Sequence, residues 1–157
     1  MTVYHGTYVE VSLPDISHSR KRLDFGAGFY VTPLEKQAIS WCKQYLRRGK
    51  QAVVNVYELD EKAFKESSFL QFDCYSEDWL DFVFSCRRGQ DDSAYKLISG
   101  GVANDRVFDT VELYFDGIIS KADAIGRLAY EKPNYQICLR TDQVIERYLH
   151  FERSYTA

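Results

Sequence analysis

Three short stretches of the chain carry side chains that a plain hydrophobic core does not require. The first is Tyr4-His5-Gly6-Thr7, where an apolar run reaches an imidazole followed by a glycine. An imidazole titrates near neutral pH, and a glycine lets a ligand approach the backbone closely. The second is Leu23-Asp24-Phe25-Gly26-Ala27-Gly28-Phe29-Tyr30-Val31-Thr32, in which two glycines allow a tight turn and deliver Tyr30 on an aromatic, β-branched triplet. A nucleotide phosphate loop is excluded: the lysine after the glycines is missing, and the order is glycines, strand, helix instead of strand, glycines, helix. The third is Gln136, a polar residue inside the apolar run Tyr135-Gln136-Ile137-Cys138-Leu139. Each stretch also has an ordinary reading. His5 fits a hydrogen-bonded surface histidine, Tyr30 and Trp41 fit core aromatics, and Gln136 fits the solvent face of an alternating strand.

The surrounding pattern predicts the elements that hold these residues. Val3-Tyr4-His5-Gly6 reads as a strand ending in a turn, and residues 9–25 read as irregular chain broken by Pro14. Thr32-Pro33-Leu34-Glu35 predicts a capped helix start, with Ala38, Trp41, Cys42 and Tyr45 on one face and Gly49 after its end. Val53 to Leu59 predicts a central strand. Ser76, Asn104, Ser120 and Thr141 each precede a run at helical spacing and predict further caps, the last for a helix carrying Val144, Ile145, Tyr148 and Leu149. The three prolines, Pro14, Pro33 and Pro133, fall where turns or helix starts are expected. Strands and helices mix without a regular βαβ alternation, which predicts an α+β fold.

Composition narrows the class. The chain has 157 residues, 45% of them hydrophobic and 27% charged, which suits one domain spanning residues 1–157 with a core of its own. A formal net charge of -3 excludes a global positive field. Two local basic runs, Arg20-Lys21-Arg22 and Arg47-Arg48-Gly49-Lys50, read as solvated loops or helix ends, the first lying beside the glycine motif. Cys42, Cys74, Cys86 and Cys138 form no C-x-x-C pair, which predicts no zinc site, buried thiols at Cys42 and Cys138, and a reducing, cytoplasmic setting. No signal peptide pattern opens the chain, and no apolar run approaches the roughly 20 residues that span a bilayer, so no membrane partner is expected.

Together the Tyr-His-Gly-Thr start, the Leu-Asp-Phe-Gly-x-Gly-Phe-Tyr-x-Thr core, the Gly101-Val102-Ala103-Asn104-Asp105-Arg106-Val107 segment and the Tyr-Gln strand resemble a bacterial family, domain of unknown function 3990. They resemble more widely the His-Tyr-Glu branch of the ADP-ribosyltransferase superfamily, over roughly residues 2–150. The resemblance implies a split β-sandwich of two packed, mainly antiparallel sheets flanked by helices. It implies NAD as co-substrate, no metal, and transfer of a single ADP-ribose to a macromolecule, as in a toxin- or effector-type module with a cognate inhibitor protein. His5, Tyr30 and Gln136 take the catalytic positions. His5 would bond the adenosine ribose, Gly6 and Thr7 the nicotinamide carboxamide, and Arg20 or Arg22 the pyrophosphate, while Tyr30 and Trp41 would close on the nicotinamide ring.

The chain departs from the superfamily pattern at Gln136, which stands where a glutamate is expected. An amide still bonds a ribose hydroxyl but brings no negative charge. That leaves an NAD- or ADP-ribose-binding module without turnover as the alternative, with Glu131 or Asp105 as candidate stand-in carboxylates. Gln136→Glu is expected to gain NAD cleavage if this side chain faces the ribose. Whether the acceptor is protein or nucleic acid stays open.

Overall fold

The computed structural model describes residues 1–131 and 134–157, so Pro133 lies outside the described residues, as does the side chain of Asp105. It is an α+β fold with two sheets. In the first, β1 (Thr2–Thr7), β3 (Val53–Leu59) and β7 (Leu149–Thr156) run antiparallel in the order β1-β3-β7. The second has β2 (Phe29–Val31), β6 (Tyr135–Leu139), β5 (Leu97–Gly101) and β4 (Phe69–Gln71) in the order β2-β6-β5-β4, antiparallel except for β4 with β5.

Alternation along the strands sorts their side chains into separate cores. Val3, Tyr57 and Leu59 of the first sheet meet Phe29, Val31, Ile137 and Leu139 of the second, with Ile145 and Tyr148 of α6 (Asp142–Tyr148) completing that cluster. The opposite face of the second sheet, with Ile98 and Cys138, is covered by α3 (Glu77–Arg87), α4 (Asp105–Phe115) and α5 (Lys121–Leu128) through Trp79, Leu80, Val83, Val107, Val111 and Leu128. A third cluster seats Ala38 and Cys42 of α1 (Glu35–Cys42) on Val54 of β3. A one-turn helix, α2 (Ala63–Glu66), follows β3.

Several sequence expectations hold at the level of single atoms. Ser76, Asn104, Ser120 and Thr141 each accept a hydrogen bond from the backbone N–H three residues on. The first helix differs. Thr32 Oγ1 accepts from Leu34 N–H at 3.1 Å instead of capping, and the helix starts at Glu35 after an uncapped Leu34. It tightens into a 3-10 segment over Lys43–Arg48 before Gly49, at φ 69°, ends it. Trp41 is not on the buried face: it is 58% exposed. Leu149 begins β7 instead of closing the last helix. No helix among the described residues is long and apolar enough to cross a membrane.

Candidate functional site

The two sheets meet edge to edge where β1 passes β2. Their contact is a single residue pair, with Tyr4 N–H on Thr32 O at 2.8 Å and Thr32 N–H on Tyr4 O at 2.9 Å. β1 does not turn at His5-Gly6 but continues to Thr7, with His5 opposite Asn55 and Gly6 opposite Val54. Met1 exchanges backbone bonds with Leu59, so odd-numbered residues of β1 face β3 and even-numbered ones face β2. Gly6 therefore aims both its N–H and its C=O at the gap beside β2, and neither has a hydrogen-bond partner among the described residues. By the same parity the N–H and C=O of Tyr30 face that gap from the other side.

His5 occupies part of this opening. Its Nδ1 lies 2.8 Å from the Tyr30 carbonyl oxygen, and its ring packs on Phe29 at 4.5 Å between centroids. A carbonyl only accepts, so Nδ1 carries the hydrogen and neutral His5 presents Nε2 as an acceptor. Burial holds the imidazole pKa below its usual 6.5, against the smaller opposing pull of the Tyr30 carbonyl. The unfolded chain takes up a proton near pH 6.5 and the folded chain only at lower pH. Between those values the unfolded state binds more protons, so His5 makes stability decline as pH falls below about 6.5 and level off once the folded imidazole has titrated.

Tyr30 points the other way, into the helix-covered face of its sheet. Its hydroxyl donates to Gly26 O at 2.6 Å and accepts from Phe25 N–H at 3.1 Å, so it pins the turn in which Gly26 sits at φ 75°. Burial, the largest cause, raises this phenol well above its usual range, which keeps the proton that the Gly26 bond needs. Tyr30→Phe strands a carbonyl and an N–H in that turn. An expected loss of about 1–3 kcal/mol follows, to be read from denaturant unfolding.

Gln136 is buried and does not face solvent. Its Nε2 donates to Asp24 Oδ2 at 3.3 Å and to Gly101 O at 3.2 Å, two groups that only accept, so the amide has one orientation. The remaining oxygen, Oε1, has no partner among the described residues. Asp24 anchors the network: Arg87 meets its Oδ1 through Nη2 at 2.6 Å and Nε at 3.0 Å, and Ala103 N–H meets Oδ2 at 3.1 Å. Arg87 reaches on to Glu112 at 3.2 Å.

The structure thus joins His5 to Tyr30 through a backbone carbonyl, and Tyr30 to Gln136 through the Asp24–Gly26 turn. Thr7 is buried at the end of β1. Arg20 and Arg22 are exposed, and neither side chain forms an ion pair or hydrogen bond among the described residues. Glu131 is half-buried near Tyr75. Two surface concavities lie elsewhere, one beside Met1 and His150 and one between Gln71 and Phe82, and neither includes His5, Tyr30 or Gln136.

Asp24 and Arg87 did not stand out in the sequence, although an aspartate between Leu23 and Phe25 is a charge in apolar company. Gln37 was missed as well. Strand register would set residue 33 opposite Tyr135, but Pro33 has no N–H to offer. Gln37 reaches over from α1 instead, donating from Nε2 to Tyr135 O and accepting Tyr135 N–H on Oε1, both at 3.0 Å.

Comparison with curated proteins and with solved structures gave no match. One family model covers residues 1–151, nearly the whole chain. With the glycine turn, the His5 strand and the Gln136 strand all inside that span, the chain belongs to the family described as Protein of unknown function (DUF3990).

Proposed function

We propose that the chain binds NAD in the gap between β1 and β2 and transfers ADP-ribose from it to a macromolecule, as a mono-ADP-ribosyltransferase-like protein of the split-sandwich type. The observation that carries this reading is the unpaired N–H and C=O of Gly6. A primary carboxamide, such as that of nicotinamide, has one donor edge and one acceptor edge, and fits such a backbone pair as a missing strand residue would. The fold already uses this match once, in the paired bonds between the Gln37 carboxamide and Tyr135. His5 Nε2 would accept from a ribose hydroxyl, Gln136 Oε1 from a second, and Arg20 would meet the pyrophosphate. Thr7 lies next to the carboxamide position, Trp41 would flank nicotinamide, and Tyr30 would act through the carbonyl that holds His5. Loss of nicotinamide leaves a cationic ribose, and these residues would orient NAD for that step.

The second reading, a module that holds NAD or ADP-ribose without turnover, is favoured by the amide at Gln136. Both its donors are spent on Asp24 and Gly101, and it offers a neutral oxygen where the superfamily places a charge.

A thermal-unfolding titration with NAD tests binding, and nicotinamide release separates the two readings. NAD at a hundred times its Kd should stabilise the fold by about 2.7 kcal/mol. His5→Ala and Tyr30→Ala should each remove that shift. Binding should hold through pH 6.5 and fall only at lower pH, where the folded imidazole titrates and protonation turns Nε2 from acceptor into donor. A parent protein whose unfolding temperature ignores NAD ends the proposal.

A further inference from the structure

The segment that follows the proposed site differs in charge from the rest of the molecule. Between Lys36 and Tyr57 stand five cations, Lys36, Lys43, Arg47, Arg48 and Lys50, and no carboxylate, in a chain whose net charge is -3. All five are exposed, and none forms an ion pair among the described residues. The carboxylate just before them, Glu35, is engaged by the Tyr155 hydroxyl at 2.6 Å.

Two of these cations lie over aromatic rings. Tyr8, at the end of β1, lies 5.1 Å from Tyr45 between centroids, Lys50 sits 3.7 Å over the Tyr8 ring, and Arg48 sits 5.9 Å from the Tyr45 centroid. Trp41 and Leu46, 58% and 52% exposed, extend the same segment with apolar surface. Cations that find no carboxylate in their own protein, next to an exposed indole, match the two things an unpaired strand offers: phosphates in a row and bases to stack. The acidic remainder of the surface would repel such a strand and so direct it to this face.

We infer that the Lys36–Lys50 face docks a single-stranded nucleic acid, with Lys43, Arg47, Arg48 and Lys50 on its phosphates and Trp41 against a base. This goes beyond the NAD reading and is measured without NAD, so either can fail alone.

The test is fluorescence anisotropy of a labelled 20-nucleotide single-stranded DNA, with the RNA of the same sequence and the duplex as parallel arms. Binding should be in the micromolar range at about 50 mM salt and weaken about 50-fold by about 200 mM, the slope for about four neutralised phosphates. Arg47→Ser with Arg48→Ser should lower that slope by about 1.4, and Trp41→Ala should weaken binding about tenfold. All three side chains are exposed, and unfolding curves of the variants would check that they fold. No binding at low salt, a slope unmoved by the double substitution, or equal affinity for duplex would overturn the inference. Displacement of the strand by poly-glutamate at equal charge would do so in favour of an acidic protein partner.

Discussion

Gln136→Glu will unfold more readily than the parent, by about 3–5 kcal/mol at pH 8, the cost of leaving a buried charge without compensation. The new carboxylate would stand where Nε2 now donates, 3.3 Å from Asp24 Oδ2 and 3.2 Å from Gly101 O. Two carboxylates so placed do not ionise together, so the pKa of one rises in the folded state. The folded protein then holds a proton that the unfolded chain has released, and the deficit shrinks as pH falls towards 5. Asp24→Asn combined with Gln136→Glu exchanges amide and carboxylate and allows the bond in the reverse sense. The pair should recover about 2 kcal/mol relative to the sum of the single effects. Any gain of NAD cleavage is therefore expected in the double variant and not in Gln136→Glu alone, the change the sequence had recommended. A Gln136→Glu protein as stable as the parent at pH 8 would remove Gln136 from Asp24.

Gly6→Ala should be worse still. A Cβ at Gly6 would lie 2.3 Å from the Ala38 carbonyl oxygen and 3.2 Å from Cys42 N, both backbone atoms of α1. A flexible side chain can swing aside; a helix backbone has to move whole. If α1 retreats, Gln37 leaves Tyr135 and the third core cluster opens. We expect a loss above about 4 kcal/mol, in the range that marks a severe core change. Gly49→Ala is the contrast, since nothing lies within 4 Å of its added carbon and its cost is that of φ 69° alone, about 1 kcal/mol. Urea unfolding of the two variants side by side separates crowding from backbone conformation. A Gly6→Ala protein with native stability would mean that α1 does not press on β1.

The parts of this fold that could be read in advance are those with local causes. Side-chain caps at Ser76, Asn104, Ser120 and Thr141 act within three residues, and the β-branched run of β3 declares a buried strand. The strands that escaped notice have distant causes. β5 ends in Ser99-Gly100-Gly101, residues that do not look like a strand; Phe72 and Phe25 crowd Gly100 and Tyr75 crowds Gly101, so larger residues do not fit. In β7 a register shift opposite Val56 and Tyr57 breaks the alternation that would have announced it.

The same division runs through the site. His5, Tyr30 and Gln136 stood out because each is odd for its neighbourhood. Their connection did not, because it depends on Asp24, which meets Arg87 and Gln136 across 63 and 112 positions of chain. Trp41 looked like core by spacing alone. The tightening of the helix after Cys42 and the packing of Ala38 and Cys42 on the first sheet leave it outside.

The opening beside β2 is also short. At one end Tyr4 and Thr32 close it, at the other Gly28 N–H is occupied by Ser19 Oγ at 2.9 Å, and between them His5 covers the Tyr30 carbonyl. What stays vacant is about the footprint of a single peptide unit. An invading polypeptide needs several consecutive rungs to hold on, and here it would find one. Exposed sheet margins usually invite aggregation; this one leaves a foreign chain too little to pair with.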